Sequence, residues 1–377
     1  MIYSMFYSLY LLITTININI NMLNSFKQPH TYSRTTTTSH RMKLNAILPF
    51  MPKSAVWTAL EKNAKENARQ WFISRAEKRG IPWRESYDKF KSHGVTLRDI
   101  KQVIENTTIY YPPYYLKAFH GYDEGNMNWK AAYECKSATD SISANYWTEI
   151  PIETSIQWLR RNITKNIREY YAMVNRTVEP MTILDVGCSI GVSTEHMKKA
   201  YPKSQIYGLD LSPFFLSVSN FRKNSETQDI TYIHENAEST SFHDDTFDLV
   251  VCNFLFHEVP REESNIIIAE IKRILKPGGV IAVVDIDPVR LKRNDALDQF
   301  RKWAFEITEP HIGEYYNTNM TTLLGNNGFS LLHNVVNDPI NSIWLGQKHD
   351  IEDCTLDDCP HCTQHNDSQI IDVDVVV

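Results

Sequence analysis

Residues 182–191 read Thr-Ile-Leu-Asp-Val-Gly-Cys-Ser-Ile-Gly, a short apolar run that passes directly into a glycine-containing turn. Thr182–Val186 has the β-branched and aliphatic composition of a buried strand, and residues 192–200 have that of a helix. A glycine turn between a strand and a helix lets a ligand approach both the backbone and the helix N-terminus closely. The segment therefore predicts a strand, a turn and a helix that together bind a ligand.

The alternation of short apolar runs with helical stretches continues to about residue 287. The predicted strands are 182–186, 205–210, 230–234, 247–254 and 280–285. This alternation predicts an α/β fold with a doubly wound, mostly parallel sheet. Two further strands, 329–335 and 342–347, have no long helix between them and are expected to form an antiparallel pair at the edge.

Three helices are predicted before this sheet. The first lies between Pro52 and Gly80, the second begins at the capping-box pattern Thr96–Asp99 and runs to about Asn106, and the third covers residues 156–170. The first carries apolar residues on one face at Trp57, Leu60, Ala64, Ala68 and Trp71. The third does so at Ile156, Leu159, Ile163, Ile167 and Tyr170. Residues 110–147 are too rich in aromatic side chains to be a linker.

The chain divides into four segments: 1–50, a leader; 51–150, a helical N-terminal region; 151–348, the α/β domain; and 349–377, an acidic tail. Residues 1–60 contain no acidic side chain. Met1–Ile13 suits a signal h-region, and Tyr32–Lys43 has the composition of a transit peptide. We expect targeting to a plastid or mitochondrion and peripheral membrane contact through the leader. The alternative is translation from Met42 or Met51 and a cytoplasmic protein.

The tail contains cysteine and histidine side chains that can ligate zinc: Cys354, Cys359, His361, Cys362 and His365. A disordered acidic tail is the favoured interpretation, because no second Cys-x2-Cys pair or apolar frame accompanies these residues. The net charge of −6 argues against nucleic-acid binding through a bulk basic field, and six cysteines are too few for a disulfide scaffold. Reduced thiols and an intracellular compartment are expected.

The glycine turn does not fit the dinucleotide fingerprint of dehydrogenases, because Ser189 and Val192 occupy positions that require glycine. It resembles the Asp-x-Gly-x-Gly-x-Gly element of class I S-adenosylmethionine-dependent methyltransferases. Asp185, Gly187 and Gly191 match that element, and Ser189 replaces its middle glycine.

Further landmarks of this family follow in order. Asp210 ends the second strand, residues 235–238 read Glu-Asn-Ala-Glu after the third, Phe247–Pro260 resembles the fourth strand with its loop, and Leu275–Val280 resembles the turn into the fifth. The resemblance covers residues 150–348 and is strongest to small-molecule enzymes related to the quinone-biosynthesis C-methyltransferases. His120–Trp129 is similar to a lid in their plastid-type plant and algal branch. A Rossmann-like seven-stranded sheet with an antiparallel last strand is implied.

The resemblance implies S-adenosylmethionine as the cofactor. Asp185 would orient the turn near the cofactor's ammonium group, and the backbone of Gly187 would pack against its amino-acid moiety. Asp210 would accept from the ribose hydroxyls. Asn236, in a slot where the family has aspartate, would accept from the adenine amino group. The predicted cofactor site is Asp185, Gly187, Cys188, Ser189, Gly191, Asp210, Leu211, Asn236, Ala237 and Asn253.

Methyl transfer from a sulfonium requires alignment and exclusion of water, and a base only where the acceptor loses a proton. His257, beside Glu258, is the first candidate base, with a loop anchor as the alternative. Tyr122 is a candidate for closing over the sulfonium, with core packing as the alternative. His311 lies in the acceptor-pocket segment 300–316, where a structural role is favoured over catalysis.

No metal is expected, because Asp285 and Asp287 lack a third carboxylate at suitable spacing for magnesium. We expect an enzyme that methylates a small, aromatic or lipophilic acceptor, and no nucleic-acid partner. The alternatives are a protein methyltransferase and a non-catalytic subunit with the same fold. The acceptor, the methylated atom and the oligomeric state stay open.

Overall fold

The computed structural model describes residues 69–70, 72–147, 149–174, 179–292 and 309–349. Its strands are β1 Thr182–Val186, β2 Gln205–Asp210, β3 Thr231–His234, β4 Phe247–Asn253, β5 Leu275–Ile286, β6 Phe329–Val336 and β7 Asn341–Lys348. Its named helices are α1 Trp83–Ser92, α2 Gly94–Ile104, α3 Trp129–Tyr146, α4 Ile152–Met173, α5 Val192–Ala200, α6 Pro213–Phe221, α7 Arg261–Ile274, α8 Pro288–Lys292, α9 Ile312–Tyr315 and α10 Met320–Asn326.

The strands form one seven-stranded sheet in the order β3-β2-β1-β4-β5-β7-β6. Strands β1 to β5 pair in parallel, and β7 pairs antiparallel with both β5 and β6. The predicted doubly wound sheet with an antiparallel last strand is confirmed. The connections reverse direction between β1 and β4, and this reversal opens a crevice beyond the carboxyl ends of the strands, where ligands bind in open α/β sheets.

Both faces of the sheet are covered by apolar clusters, and consecutive strand residues point alternately into one and the other. In β4, Val250 and Cys252 join one apolar cluster, while Leu249 and Val251 join the other. The fifth strand begins five residues before the predicted Val280, because Leu275 pairs with Phe247 ahead of a shift in register. The core therefore fixes the carboxyl ends of β1, β2, β4 and β5 side by side.

The N-terminal region packs directly on this sheet and its helices. Helix α4 buries the apolar face predicted from the sequence, including Ile163 and Ile167. The prediction that a capping box begins the second helix at Thr96 was wrong. Helix α2 already begins at Gly94 after His93, whose side chain makes no capping bond, so Thr96 lies inside the first turn.

Several predictions concern residues that lie outside the described part of the chain. These are the leader, the acidic tail and the predicted helix face from Trp57 to Trp71. Residues 72–78, at the end of that predicted helix, are helical, and Gly80 follows with a φ of 91°. Within the described residues, no helix is both long enough and apolar enough to span a membrane.

Candidate functional site

The turn after β1 is built from residues in the left-handed region. The φ angles are 69° at Gly187, 52° at Ser189 and 80° at Gly191. A Cβ atom added to Gly187 would lie 3.1 Å from Cδ1 of Leu255, and one added to Gly191 would collide with the hydroxyl of Tyr232. The two glycines therefore allow the side chains of Leu255 and Tyr232 to approach the turn closely. Ser189, by contrast, adopts a left-handed conformation that is energetically unfavourable for any residue with a Cβ atom.

Asp185 orients this turn from the end of β1. Its carboxylate is fully buried and accepts hydrogen bonds from Ser193 at 2.6 Å and Thr194 at 2.7 Å, both in the first turn of α5. It also accepts from the side-chain amide of Asn253 at 3.2 Å. Burial raises the pKa of Asp185, and these hydrogen bonds oppose the rise. These hydrogen bonds join the end of β1 to the start of α5, and the orienting role of Asp185 stays a prediction that they support.

Two buried polar atoms beside Asp185 lack hydrogen-bond partners among the described residues. They are Oδ1 of Asn253 and Nη1 of Arg160. Arg160 lies on α4, is 8% exposed and interacts electrostatically with Asp185. One unpaired acceptor and one unpaired cationic donor are the complement of an ammonium and a carboxylate group. Arg160 was not predicted, because its place on an N-terminal helix gives no motif.

Asp210 ends β2 within reach of the same turn. Its carboxylate accepts from the backbone N–H groups of Ser189 and Ser212, each at 2.7 Å. Burial raises the pKa of Asp210 to about 6, against the effect of these two N–H groups and with a contribution from Asp185. The glycine turn and the end of β2 are therefore joined through one carboxylate at the sheet edge.

The neighbouring predicted residues line the next part of this edge. The backbone carbonyl of Leu211 lies 3.0 Å from Nε2 of His234, and Oδ1 of Asn236 accepts from the backbone N–H of Glu238 at 3.0 Å. Ala237 packs against the core, and Cys188 is buried with its N–H bonded to Leu209. The predicted cofactor residues are thus distributed along the carboxyl ends of β1, β2, β3 and β4.

The predicted lid, His120–Trp129, contacts this edge. Phe119 and Tyr122 exchange both backbone hydrogen bonds, and the two residues between them, His120 and Gly121, have φ angles of 51° and 82°. Two successive positive φ angles define a type I′ turn. The carbonyl of Asn126 accepts a 2.7 Å hydrogen bond from Ser212, so the lid contacts the segment after β2.

The lid places His120 against the loop after β4. Nε2 of His120 lies 3.2 Å from Oε1 of Glu309 and 3.6 Å from Oε1 of Glu258. His257 is buried beside them, and its Nδ1 lies 2.7 Å from Oδ1 of Asp285 at the end of β5. Phe254, in the same loop, has a strained φ of 59°. We call His120, His257, Glu258, Asp285 and Glu309 the histidine–carboxylate cluster.

Burial and mutual interaction shift the protonation of this cluster. Burial opposes charge on His257, but Asp285 outweighs it and raises the pKa of His257 to about 9. Desolvation and the neighbouring His257 lower the pKa of His120 to about 3. Burial raises the pKa of Glu258 to about 8 and that of Glu309 far above its usual range. Asp285 therefore favours the protonated form of His257.

The other two predicted catalytic residues lie in different surroundings. The hydroxyl of Tyr122 donates to Glu134 at 2.5 Å, and its ring packs with the apolar residues of α1, α3 and α6. His311 is buried, its ring is edge-on to Tyr114, and its Nε2 has no hydrogen-bond partner among the described residues. Their proposed roles stay predictions. Glu309 lies in the predicted acceptor-pocket segment 300–316 and His120 in the predicted lid, but nothing in their spacing predicts that they meet His257.

Comparison with known proteins places this edge within a known family of domains. A family model described as a methyltransferase domain matches residues 184–283, which run from β1 into β5. A demethylmenaquinone methyltransferase of Bacillus subtilis is 33% identical over 123 residues, covering 32% of this chain and 52% of the relative. An uncharacterized methyltransferase of Synechocystis is 33% identical over 113 residues, covering 30% and 50%.

Among solved structures, a SAM-dependent methyltransferase from Methanosarcina mazei is 25% identical and aligns with a TM-score of 0.36, covering 47% of this chain and 97% of that one. The chain spans about half the length of the curated relatives it matches. The family match supports S-adenosylmethionine as the cofactor. Residues 184–283 of this chain therefore match a methyltransferase domain, and the findings support the S-adenosylmethionine-dependent, Rossmann-like class.

Proposed function

We propose that this protein is an S-adenosylmethionine-dependent methyltransferase that acts on a small aromatic or lipophilic acceptor. The observation that carries the proposal is the position of the Asp210 carboxylate, which accepts from Ser189 in the glycine turn and from Ser212 after β2. This arrangement puts an acceptor-only group at the switch point of the sheet, where ribose hydroxyls can donate to it.

The residues of this edge fit the cofactor group by group. The ammonium group would donate to Oδ1 of Asn253, and the carboxylate would pair with Nη1 of Arg160, so that two buried unpaired atoms would gain partners. Asp210 would hold the ribose, and Asn236 with Ala237 would contact the adenine. S-adenosylmethionine supplies a methyl group already activated on sulfur, for in-line transfer.

The protein's own contribution is to orient the reactants and exclude water. The lid and the half-buried Tyr115, whose buried hydroxyl lies in the electrostatic field of both Asp210 and Glu258, would close the crevice. His257, held at Nδ1 by Asp285, would present Nε2 to the acceptor and hold or release a proton there. Tyr122 stays the candidate for closing over the sulfonium, and His311 would take a structural role in the acceptor-pocket segment.

Two observations support an aromatic or lipophilic acceptor. The lid and the segment before it are rich in aromatic side chains, among them Tyr111, Tyr114 and Tyr115. Relatives at 31–33% identity are named demethylmenaquinone methyltransferases, and we extend a quinol-like acceptor to this chain on that basis. We further propose delivery to a plastid or mitochondrion by the leader, with peripheral membrane contact, since lipophilic acceptors concentrate at membranes.

Cofactor binding is the test of this proposal. We expect calorimetry on the full chain to show micromolar binding of S-adenosylmethionine and S-adenosylhomocysteine, lost in Asp210→Ala. Asp244→Ala is the matched control, because that carboxylate is 73% exposed and pairs only with Arg273 among the described residues. If folded protein binds neither compound, the enzyme proposal fails and the non-catalytic subunit remains.

The class of acceptor needs a separate measurement. Methyl-labelled S-adenosylmethionine is incubated with the protein, quinols and hydroxylated aromatic compounds, and label is counted in the organic extract and in precipitated protein. Label in the extract supports the proposal. Label confined to added protein substrates would establish a protein methyltransferase instead.

A further inference from the structure

The histidine–carboxylate cluster has the composition of a metal site. The geometry points to a site for one divalent transition-metal ion of the zinc type, ligated by Nε2 of His120, Nε2 of His257 and the carboxylate of Glu309. One ligand atom from each of these residues lies within 4.8 Å of the other two. The sequence motifs alone give no hint of this site, because the three residues are far apart in the chain.

The donor set selects the kind of ion. Two imidazole nitrogens and one carboxylate, with a position left open, are the ligands of catalytic zinc sites and of non-haem iron(II) sites, whereas magnesium prefers oxygen ligands. Ligands of tetrahedral zinc lie roughly 3.4 Å apart. The 3.2 Å between His120 and Glu309 already meets this spacing, and small side-chain rotations would bring in His257.

The surroundings of His257 are those of a metal-ligating histidine. Asp285 holds Nδ1 at 2.7 Å, and it is itself fixed by backbone N–H groups of Phe256, His257 and Ile286. Metal-bound histidines usually donate their second ring nitrogen to such a carboxylate, which fixes the tautomer and directs the other lone pair to the metal. Nε2 of His257 thus faces the rest of the histidine–carboxylate cluster, with Oε1 of Glu258 3.9 Å away.

Two further features fit a cation at this point. Glu309 is 2% exposed, and its Oε2 has no hydrogen-bond partner among the described residues. Within the described ranges, the ion pairs of Glu258, Asp285 and Glu309 involve only histidines and no lysine or arginine. A divalent ion bound at Nε2 of His257 in place of a proton would balance the charge of the carboxylates that ionise around it.

The position of the ion suggests what it would bind. The cluster lies beyond the end of β4, and Tyr115 interacts electrostatically with both Glu258 and the Asp210 carboxylate, so the cluster borders the cofactor crevice. With the ion bound, Nε2 of His257 is a ligand and no longer a base; an oxygen of the acceptor, such as a phenolate or enolate, would fill the open position and be polarised by the ion instead. This assignment of the acceptor rests on the proposed methyl transfer, whereas the metal site does not.

The test measures metal binding by the full-length chain. Substitutions in the tail prevent its cysteines from competing for the metal. Cys354, Cys359 and Cys362 are replaced by serine, the protein is freed of metal with a chelator, and Zn²⁺ and Co²⁺ are titrated by calorimetry and visible absorption. We expect one equivalent of either ion, with Co²⁺ giving d–d bands and no thiolate charge-transfer band. Mg²⁺ is expected not to compete.

Matched variants locate the ion. Glu309→Gln is isosteric, and His120→Asn keeps a residue that tolerates the left-handed region; we expect each to weaken Zn²⁺ binding at least 100-fold. Asp285→Asn should weaken it 10- to 100-fold, and the exposed His243→Ala should not change it. No stoichiometric binding, or binding unchanged in both ligand variants with native thermal unfolding, would overturn the metal site.

Calorimetry with S-adenosylmethionine on the same metal-free protein separates the two proposals. Cofactor binding without metal binding would remove the metal site and leave the methyltransferase proposal intact. Metal binding without cofactor binding would overturn the methyltransferase proposal and leave the metal site.

Discussion

Asp285 and His257 are joined by a 2.7 Å hydrogen bond between a carboxylate at the end of β5 and the imidazole in the loop after β4. The same carboxylate accepts the backbone N–H groups of Phe256, His257 and Ile286. It thereby determines the path of the loop that carries the candidate catalytic histidine. Because Asp285 is fully buried, its hydrogen bonds replace water that these donors lose on folding.

We expect Asp285→Asn to destabilise the protein by about 2–4 kcal/mol, because an amide replaces a charged acceptor of several buried donors. Urea unfolding monitored by circular dichroism measures the change. Asp244→Asn, at an exposed ion pair, should change the free energy of unfolding by less than about 0.5 kcal/mol. Equal effects of the two substitutions would contradict the role given to Asp285.

Cofactor affinity should depend on pH through Asp210, whose pKa is raised to about 6 by burial. The ionised carboxylate is the acceptor for the ribose, so affinity should be constant above about pH 7. It should fall as the pH drops through 6, by about tenfold at pH 5. The neighbouring Asp185 also raises the pKa of Asp210, and Asp210 in turn raises the pKa of Glu258.

The isosteric variant Asp210→Asn isolates this contribution. It should bind S-adenosylmethionine about 10- to 100-fold more weakly at pH 7.5, because hydrogen bonds to a charged group are the stronger ones. Its affinity should vary much less between pH 5 and 7 than that of the original protein. Parallel pH profiles for both proteins would show that another group titrates.

Ser189→Gly should stabilise the folded protein by about 0.5–1 kcal/mol, because glycine removes the strain of a side chain at a φ of 52°. The lost contact with Sγ of Cys135, 3.2 Å from the serine hydroxyl, reduces the gain. Thermal unfolding measures it, with Cys135→Ala as the control for that contact. A fall in stability would show that the hydroxyl contributes more than the strain costs.

Gly191→Ala and Gly80→Ala separate a steric clash from backbone strain. Both positions have positive φ, 80° and 91°, but only at Gly191 would a Cβ collide with the side chain of Tyr232, whereas at Gly80 nothing lies within 4 Å. We expect Gly80→Ala to cost about 1 kcal/mol and Gly191→Ala to cost at least about 2 kcal/mol more. Unfolding in denaturant measures both, and similar costs would mean that Tyr232 moves aside freely.

The strands of this fold could be predicted from the sequence because each is a short apolar run bounded by turn residues. Strand β2, for example, has the predicted limits Gln205 and Asp210. The turn after β1 could be predicted because glycines that recur between a strand and a helix indicate positive φ angles or a close approach to the backbone. Helix α3 could not, since Trp129–Tyr146 mixes small and polar residues and carries only a weak apolar stripe.

The histidine–carboxylate cluster shows a different limit. His120, His257 and Glu309 come from a lid turn, the loop after β4 and a segment far downstream, so only the tertiary fold brings them together. Tyr122 illustrates the reverse case: its aromatic ring made it a candidate for the cofactor, but the partner of its hydroxyl, Glu134, lies on α3, a helix absent from the prediction. Local patterns carry no information on such pairs.

The contact between the lid and the segment after β2 has a practical consequence for anyone who shortens this protein. Ser212 donates to the carbonyl of Asn126, and Leu97 and Ala132 pack against Phe215 and Val218 of α6. A fragment limited to residues 184–283 would leave this apolar face of α6 bare to water and would lack both Arg160 and His120. The smallest useful expression product must therefore retain the helices from α1 onward, although the family model matches only residues 184–283.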